Sequence, residues 1–199
     1  MGGLGIFGGT FDPPHIAHLA LAAEALRQLG LERVLWVLTP DPPHKPRRAI
    51  TPVETRLALV QAAMHGEPRF ELSRVDIDRP PPQYALDTVR RLREIYPGAE
   101  LVYLMGGDSL RDLPDWHQPQ EFVAACHALG VMRRPRTRLN LERLEASLPA
   151  LRNKVRFIDV PRLDISASDI RRRVHLGHPY AYLLPDAVRE IIAEQRLYR

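Results

Sequence analysis

Apolar residues fill positions 4–7 and stop at the pair Gly8-Gly9, a pattern that predicts a short buried strand and a turn. From 16 to 29 the run IAHLALAAEALRQL has helical periodicity, and Gly30 supplies its C-terminal stop. Residues 33–38, RVLWVL, predict a second strand. A strand, a crossover helix and a strand imply a parallel pair.

The alternation continues. Thr51-Pro52-Val53-Glu54 reads as a capping box with proline at the first helical position, opening a helix that runs to about His65 and ends at Gly66. Strands are expected at 70–75, 101–105, 128–132 and 155–160, and helices at 84–95, briefly after Gly107, at 122–126, 141–148, 168–175 and 186–195. Alternating strands and helices over most of the chain predict an α/β fold with a doubly wound parallel sheet and the final helices packed against it. No internal repeat or low-complexity segment interrupts this order.

Composition narrows the class. The 199 residues are 45% hydrophobic, enough for a full core in one domain. The single cysteine, Cys126, lies in an apolar stretch and reads as a core residue; with no second cysteine to pair it, the chain fits a reducing cytoplasm. Neither a signal peptide nor a membrane span is expected. The net charge is +4. The arginines are spread along the chain, which favours a small anionic ligand such as a polyphosphate over nucleic acid. The 19 prolines concentrate at 40–46, 80–82 and 133–135.

The chemistry begins in GGTFDPPHIAH at 8–18. Glycines in the first strand–helix turn of such a sheet let the backbone approach a ligand, and the following helix offers N–H groups and the positive end of its dipole. His15 and His18, three apart at that helix start, fall on one face and can address one anion. A metal pair would favour a spacing of four and a third ligand, so no metal site is assigned. GGDSL at 106–110 follows a strand, and its Asp108 can bind ribose hydroxyls or cap the next helix. Trp116, in LPDWHQP, is either a packing anchor or a stacking surface for a flat heterocycle. In DISASDIRRRV at 164–174 a capping box, Ser166 to Asp169, starts a helix, and Ser168 and Arg171 share a face that suits a phosphate. His44 and Lys45, in PPHK at 42–45, add positive charge at the same sheet edge.

GGTFDPPHIAH resembles the GGTFDPxHxGH signature of the nucleotidylyltransferase superfamily, with Ala17 where the family has glycine. PPHK, PPPQYALDT at 80–88, GGDSL, DWHQP, DISASDIRRRV and the ending YLLPDAVREIIAEQRLYR are similar, in order, to segments of the bacterial nicotinate-nucleotide adenylyltransferases. In the family's PSYT segment a threonine stands where this chain has Ala85. The extra length, Trp116 and DISASDIRRRV separate the chain from the pantetheine-phosphate adenylyltransferases.

The resemblance implies one Rossmann-like nucleotidylyltransferase domain over residues 1–199. It implies transfer of the adenylyl group of ATP to nicotinate mononucleotide, giving deamido-NAD and pyrophosphate, by in-line attack without a covalent intermediate. His18 would stabilise the α-phosphate in the transition state and His15 would hold the polyphosphate beside it. Lys45 and Arg171 would bind the β- and γ-phosphates, with Ser168 nearby. Gly8, Gly9, Thr10, Gly106 and Asp108 would line the adenosine side. His44, Tyr84, Ala85, Thr88 and Trp116 would serve the mononucleotide, the backbone N–H groups near Ala85 holding the pyridine carboxylate. Mg2+ is expected mainly on the ATP phosphates. The partners are then ATP and the mononucleotide, with a homo-oligomer left open.

Overall fold

The computed structural model describes residues 2–41, 50–132, 139–161 and 163–199. Six parallel strands form one sheet in the order β3-β2-β1-β4-β5-β6. They are β1 (Gly3–Gly9), β2 (Leu31–Leu38), β3 (Phe70–Ser73), β4 (Glu100–Gly106), β5 (Ala128–Met132) and β6 (Val155–Ile158). The helices are α1 (Ile16–Gln28), α2 (Val53–Met64), α3 (Ala85–Ile95), α4 (Gly107–Arg111), α5 (Pro119–Ala125), α6 (Leu141–Ser147), α7 (Ala167–His175) and α8 (Asp186–Glu194). This is the expected doubly wound α/β architecture.

Strand periodicity sorts the core into two layers. Leu4, Ile6, Leu35, Val37, Leu101 and Tyr103 face one side with α3 and α5. Phe7, Val34, Trp36, Leu38, Val102 and Leu104 face the other with α1 and α2. Alternate residues of every central strand are thus buried on opposite faces, which is why these strands read as continuous apolar runs. A third cluster, with Leu59, Ile170, Val188 and Ile192, packs α7 and α8 onto α2. Cys126 is buried, and burial pushes its thiol up to about 12, as befits a core residue.

Several boundaries differ from expectation for local reasons. β1 runs through Gly8 and Gly9, which pair with Val37 and Leu38 before the chain turns. β3 ends at Ser73 because the amides of Ile77 and Asp78 bond the Arg74 carbonyl and close a turn. The capping box at Thr51 does not form: Pro52 is the N-cap of α2 and no side chain caps it. The Thr51 hydroxyl instead meets the Tyr198 phenol, and its carbonyl accepts from Arg56. At α7 the Ser166 hydroxyl does cap, accepting from the Asp169 amide, while the Asp169 carboxylate pairs with Arg172 and Arg173.

Candidate active site

β1 and β4 pair at the point where the strand order reverses, and β1 is followed toward one edge by β2 and β3. Such a switch point opens a crevice beyond the carboxyl ends of the strands. A cavity of about 550 Å³ lies there. Its wall includes Gly8 and Gly9 from the end of β1, Thr10 and His15 from the turn that follows, His18 from the first turn of α1, and Gly106 and Asp108 from the β4–α4 junction. Tyr84, Ala85 and Thr88 join it from the start of α3, Trp116 from the segment before α5, and Ser168 and Arg171 from α7. The fold thus gathers these expected site residues around one space. His44 and Lys45 lie outside the described residues.

The β1–α1 turn is held tightly. A Cβ on Gly8 would lie 2.6 Å from the Tyr103 hydroxyl, and one on Gly9 would lie 2.8 Å from the Phe11 ring. Phe11 itself has φ 47°, a left-handed conformation that a bulky residue keeps only under constraint. Its ring is buried and packs edge-on against Phe7 and His18.

His15 and His18 stack, with ring centroids 3.6 Å apart and planes 17° from parallel. The His15 backbone N–H donates to His18 Nδ1 at 3.2 Å. An acceptor at Nδ1 leaves the neutral ring's proton on Nε2, so the far edge of His18 is a donor. Ala17 is buried between them in sequence and also lines the cavity, so its methyl is accommodated.

Arg171 reaches from α7 to the same turn. Its Nη1 donates to the Asp12 main-chain oxygen and lies 3.9 Å from Asp12 Oδ2. Ser168 Oγ is 3.1 Å from Ser166 Oγ, in the first turn of that helix. Asp108 lies in the first turn of α4, with Gly106 as N-cap, and is 3.4 Å from Arg111. The N-cap position of α4 is thus Gly106, and Asp108 stands two residues into the junction.

Part of the lining is aromatic. Tyr84 stacks on His117 at 3.9 Å. Trp116 packs against Phe122 and Tyr103, with centroids 5.2 and 6.2 Å away, and still lines the cavity. It is a packing anchor whose remaining surface faces the site. Behind this wall Thr88 Oγ1 donates to Asp76 Oδ1 at 2.8 Å, so its hydroxyl is committed to the protein. Asp76 is buried and paired with Arg79 at 2.9 Å, and Arg79 also bonds the carbonyls of Pro82 and Tyr84. Burial raises the Asp76 carboxyl, against the lowering pull of Thr88 and Arg79.

Sequence reasoning left several of these residues unassigned. Asp12 stands inside the quoted motif without a role. Asp76, Arg79, Tyr103 and His117 gave no local signal. Arg56, 2% exposed, bonds four backbone carbonyls of the loops around the site.

Residues 6–173 match the family described as cytidylyltransferase-like. The chain is 48% identical over 199 residues to a protein of Thermomicrobium roseum named "Probable nicotinate-nucleotide adenylyltransferase", covering all of this chain and 92% of that one. A protein of the same name from Saccharopolyspora erythraea is 40% identical, covering 98% and 89%. Among solved structures, the Plasmodium falciparum nicotinic acid mononucleotide adenylyltransferase complexed with NaAD superposes with a TM-score of 0.83 at 17% identity, covering 100% of this chain and 98% of that one. That last likeness speaks for the fold.

Proposed function

The chain belongs to the cytidylyltransferase-like family and, within it, to the nicotinate-nucleotide adenylyltransferases, and from that premise we propose that it joins ATP and nicotinate mononucleotide in the cytoplasm, giving deamido-NAD and pyrophosphate. The observation that carries the reading is the cavity's lining. It combines stacked imidazoles, helix N-termini and Arg171 with the aromatic surfaces of Trp116, Tyr84 and His117. A polyphosphate suits the first and a flat pyridine the second.

The nucleophile is a phosphate oxygen of the mononucleotide, which attacks the α-phosphorus of ATP in line as pyrophosphate departs. A phosphate monoester with a second pKa near ~6 is largely ionised at neutral pH, so the step needs no protein base. It needs positioning and charge stabilisation. His18 Nε2–H donates to the α-phosphate oxygens as charge builds there. His15 and Arg171 hold the neighbouring phosphates, and the first amides of α7 near Ser168 assist. Lys45 joins them in this reading. Gly8, Gly9, Thr10, Gly106 and Asp108 border the adenosine, while His44, Tyr84, Ala85 and Trp116 border the mononucleotide and Thr88 braces that wall through Asp76.

Among the described residues no three His, Cys, Asp or Glu side chains are grouped to hold a metal ion. The two buried acidic residues at the cavity, Asp12 and Asp76, are engaged by Tyr198 and Arg79. Mg2+ enters this reading as MgATP, where it would offset phosphate charge, since magnesium is commonly held through substrate phosphates and waters. Among the described residues, no helix is long and apolar enough to cross a membrane.

The test is pyrophosphate release from MgATP with nicotinate mononucleotide, nicotinamide mononucleotide and 4′-phosphopantetheine compared as kcat/KM. A strong nicotinate preference upholds the proposal. Turnover with phosphopantetheine alone, or with none of the three, overturns it.

A further inference from the structure

Tyr198 is 186 positions from Asp12 in sequence, yet its phenol donates to Asp12 Oδ1 at 2.8 Å. The segment that brings it there is constrained. After α8 the chain turns back through two non-glycine residues in the left-handed region, Arg196 at φ 51° and Tyr198 at φ 65°. The Leu197 amide bonds the Ile192 carbonyl, and Leu197 and Tyr198 pack on the cluster that contains Ile170 and Leu19. Those two residues adjoin Arg171 and His18 in sequence. Burial pushes the phenol's pKa upward, so it remains a donor, and the Thr51 hydroxyl meets its oxygen.

Each of the two carboxylate oxygens of Asp12 faces a different side chain. Tyr198 holds Oδ1. Oδ2 stands 3.9 Å from Arg171 Nη1, which bonds the Asp12 main-chain oxygen instead. A buried carboxylate that loses a donor seeks another; the Arg171 guanidinium stands within reach, whereas Arg56, whose charge also acts on Asp12, has its N–H groups on four backbone carbonyls.

We infer that Tyr198 is a positioning residue for the ATP polyphosphate: by holding the Asp12 carboxylate it keeps Asp12 from closing on Arg171, and so leaves the outer edge of that guanidinium for phosphate. The inference rests on the proposed role of Arg171. It adds a residue from the far end of the sequence, which touches no substrate and sets the strength of one.

The variant Tyr198→Phe removes the hydroxyl and keeps the ring. Binding of α,β-methylene-ATP with Mg2+ is measured by calorimetry, alongside steady-state kinetics with both substrates. We expect the analogue Kd and the KM for ATP to rise about fivefold to tenfold, the scale of one charge-assisted hydrogen bond only partly lost, and the KM for the mononucleotide to stay within about twofold. The double variant Asp12→Asn/Tyr198→Phe should regain most of the ATP affinity, because an amide cannot form the ion pair with Arg171. A tail that merely stabilised the fold would weaken both substrates together, and the double variant would be worse than the single.

Unchanged analogue affinity in Tyr198→Phe, or a double variant no better than the single, overturns the inference. Arg171→Ala separates the two levels. If it binds the analogue like the wild type, the role of Arg171 fails and this inference with it. If it weakens binding while Tyr198→Phe does not, only the inference about Tyr198 fails. Analogue binding requires no turnover, so the result does not depend on which acceptor the enzyme uses.

Discussion

Replacing Arg56 tests how the site is held in place. The side chain is 2% exposed and leaves α2 toward the loops at the carboxyl ends of β1 and β2. Nε donates to the Thr51 carbonyl at 2.7 Å, Nη1 to those of Thr10 and Thr39 at 3.0 and 2.8 Å, and Nη2 to that of Pro40 at 2.7 Å. One guanidinium therefore joins the turn before α1, the end of β2 and the approach to α2. Burial lowers its pKa, and the nearby Asp12 charge pulls it back up. Arg56→Met keeps the length and removes every donor. Each charge-assisted hydrogen bond contributes about 1.5–3 kcal/mol, but the variant also removes the charge that had to be desolvated, and water from the cavity can reach some of the carbonyls. The expected net loss is about 3–5 kcal/mol. In a chain of this size each kcal/mol shifts Tm by roughly 2–4 °C, so Tm should fall by about 6–20 °C. Urea unfolding at 25 °C measures the loss directly. Arg56→Lys keeps the charge but lacks the planar fork, and should fall between the two. An Arg56→Met protein within about 1 kcal/mol of wild type would refute the reasoning, because four bonds to backbone carbonyls would then hold nothing.

Three other perturbations address the site itself. His18→Ala should lower kcat by on the order of a hundredfold or more, the scale for one lost transition-state donor, with near-normal unfolding; near-normal turnover would remove His18 from the mechanism. Trp116→Ala should raise the KM for the mononucleotide and leave that for ATP alone, and because the indole also packs on Phe122 it should cost about 1–3 kcal/mol in urea unfolding; a rise in the KM for ATP instead would reverse the assignment of Trp116. Gly8→Ala places a methyl 2.6 Å from the Tyr103 hydroxyl and should cost about 1–3 kcal/mol. Adding Tyr103→Phe removes the oxygen and leaves the ring carbon at an ordinary 3.5 Å, so the double variant should recover stability; failure to recover it would mean that the backbone of the turn, rather than the hydroxyl, rejects a side chain.

The centre of the sheet is legible because β1, β2, β4 and β5 are buried on both faces and therefore read as apolar runs. β5 occupies the expected 128–132. What misled was local chemistry outvoted by tertiary partners. Thr51 has the spacing of a capping residue, but its hydroxyl meets Tyr198 and its carbonyl meets Arg56, so the helix begins after proline without a side-chain cap. Gly8 and Gly9 read as a turn, yet the adjacent strand keeps them in the ladder until Leu38 runs out. Val75, the last residue of the strand expected over 70–75, packs on the core from a turn instead.

The site divides along a related line. His15 and His18 could be found because their geometry is helical and local, and Ser168 with Arg171 for the same reason. Their supports could not, because each acts across the fold: Arg56 on Thr10 over 46 residues, Arg171 on Asp12 over 159, Tyr198 on Asp12 over 186. One support did leave a trace in the pattern. In VETRLALVQAAM the buried stripe of α2 runs through Leu59, Val60 and Ala63, and Arg56 lies three, four and seven residues before them, on that same stripe. A charged residue in an apolar stripe must find acceptors inside the fold. In a parallel sheet the strand and helix carbonyls are already engaged in their own ladders. The unengaged ones lie in the turns that follow the strands, where ligands also bind. An arginine out of place on a helix's inner face therefore points to the carboxyl end of the sheet, and here it points to the turn that carries the histidines.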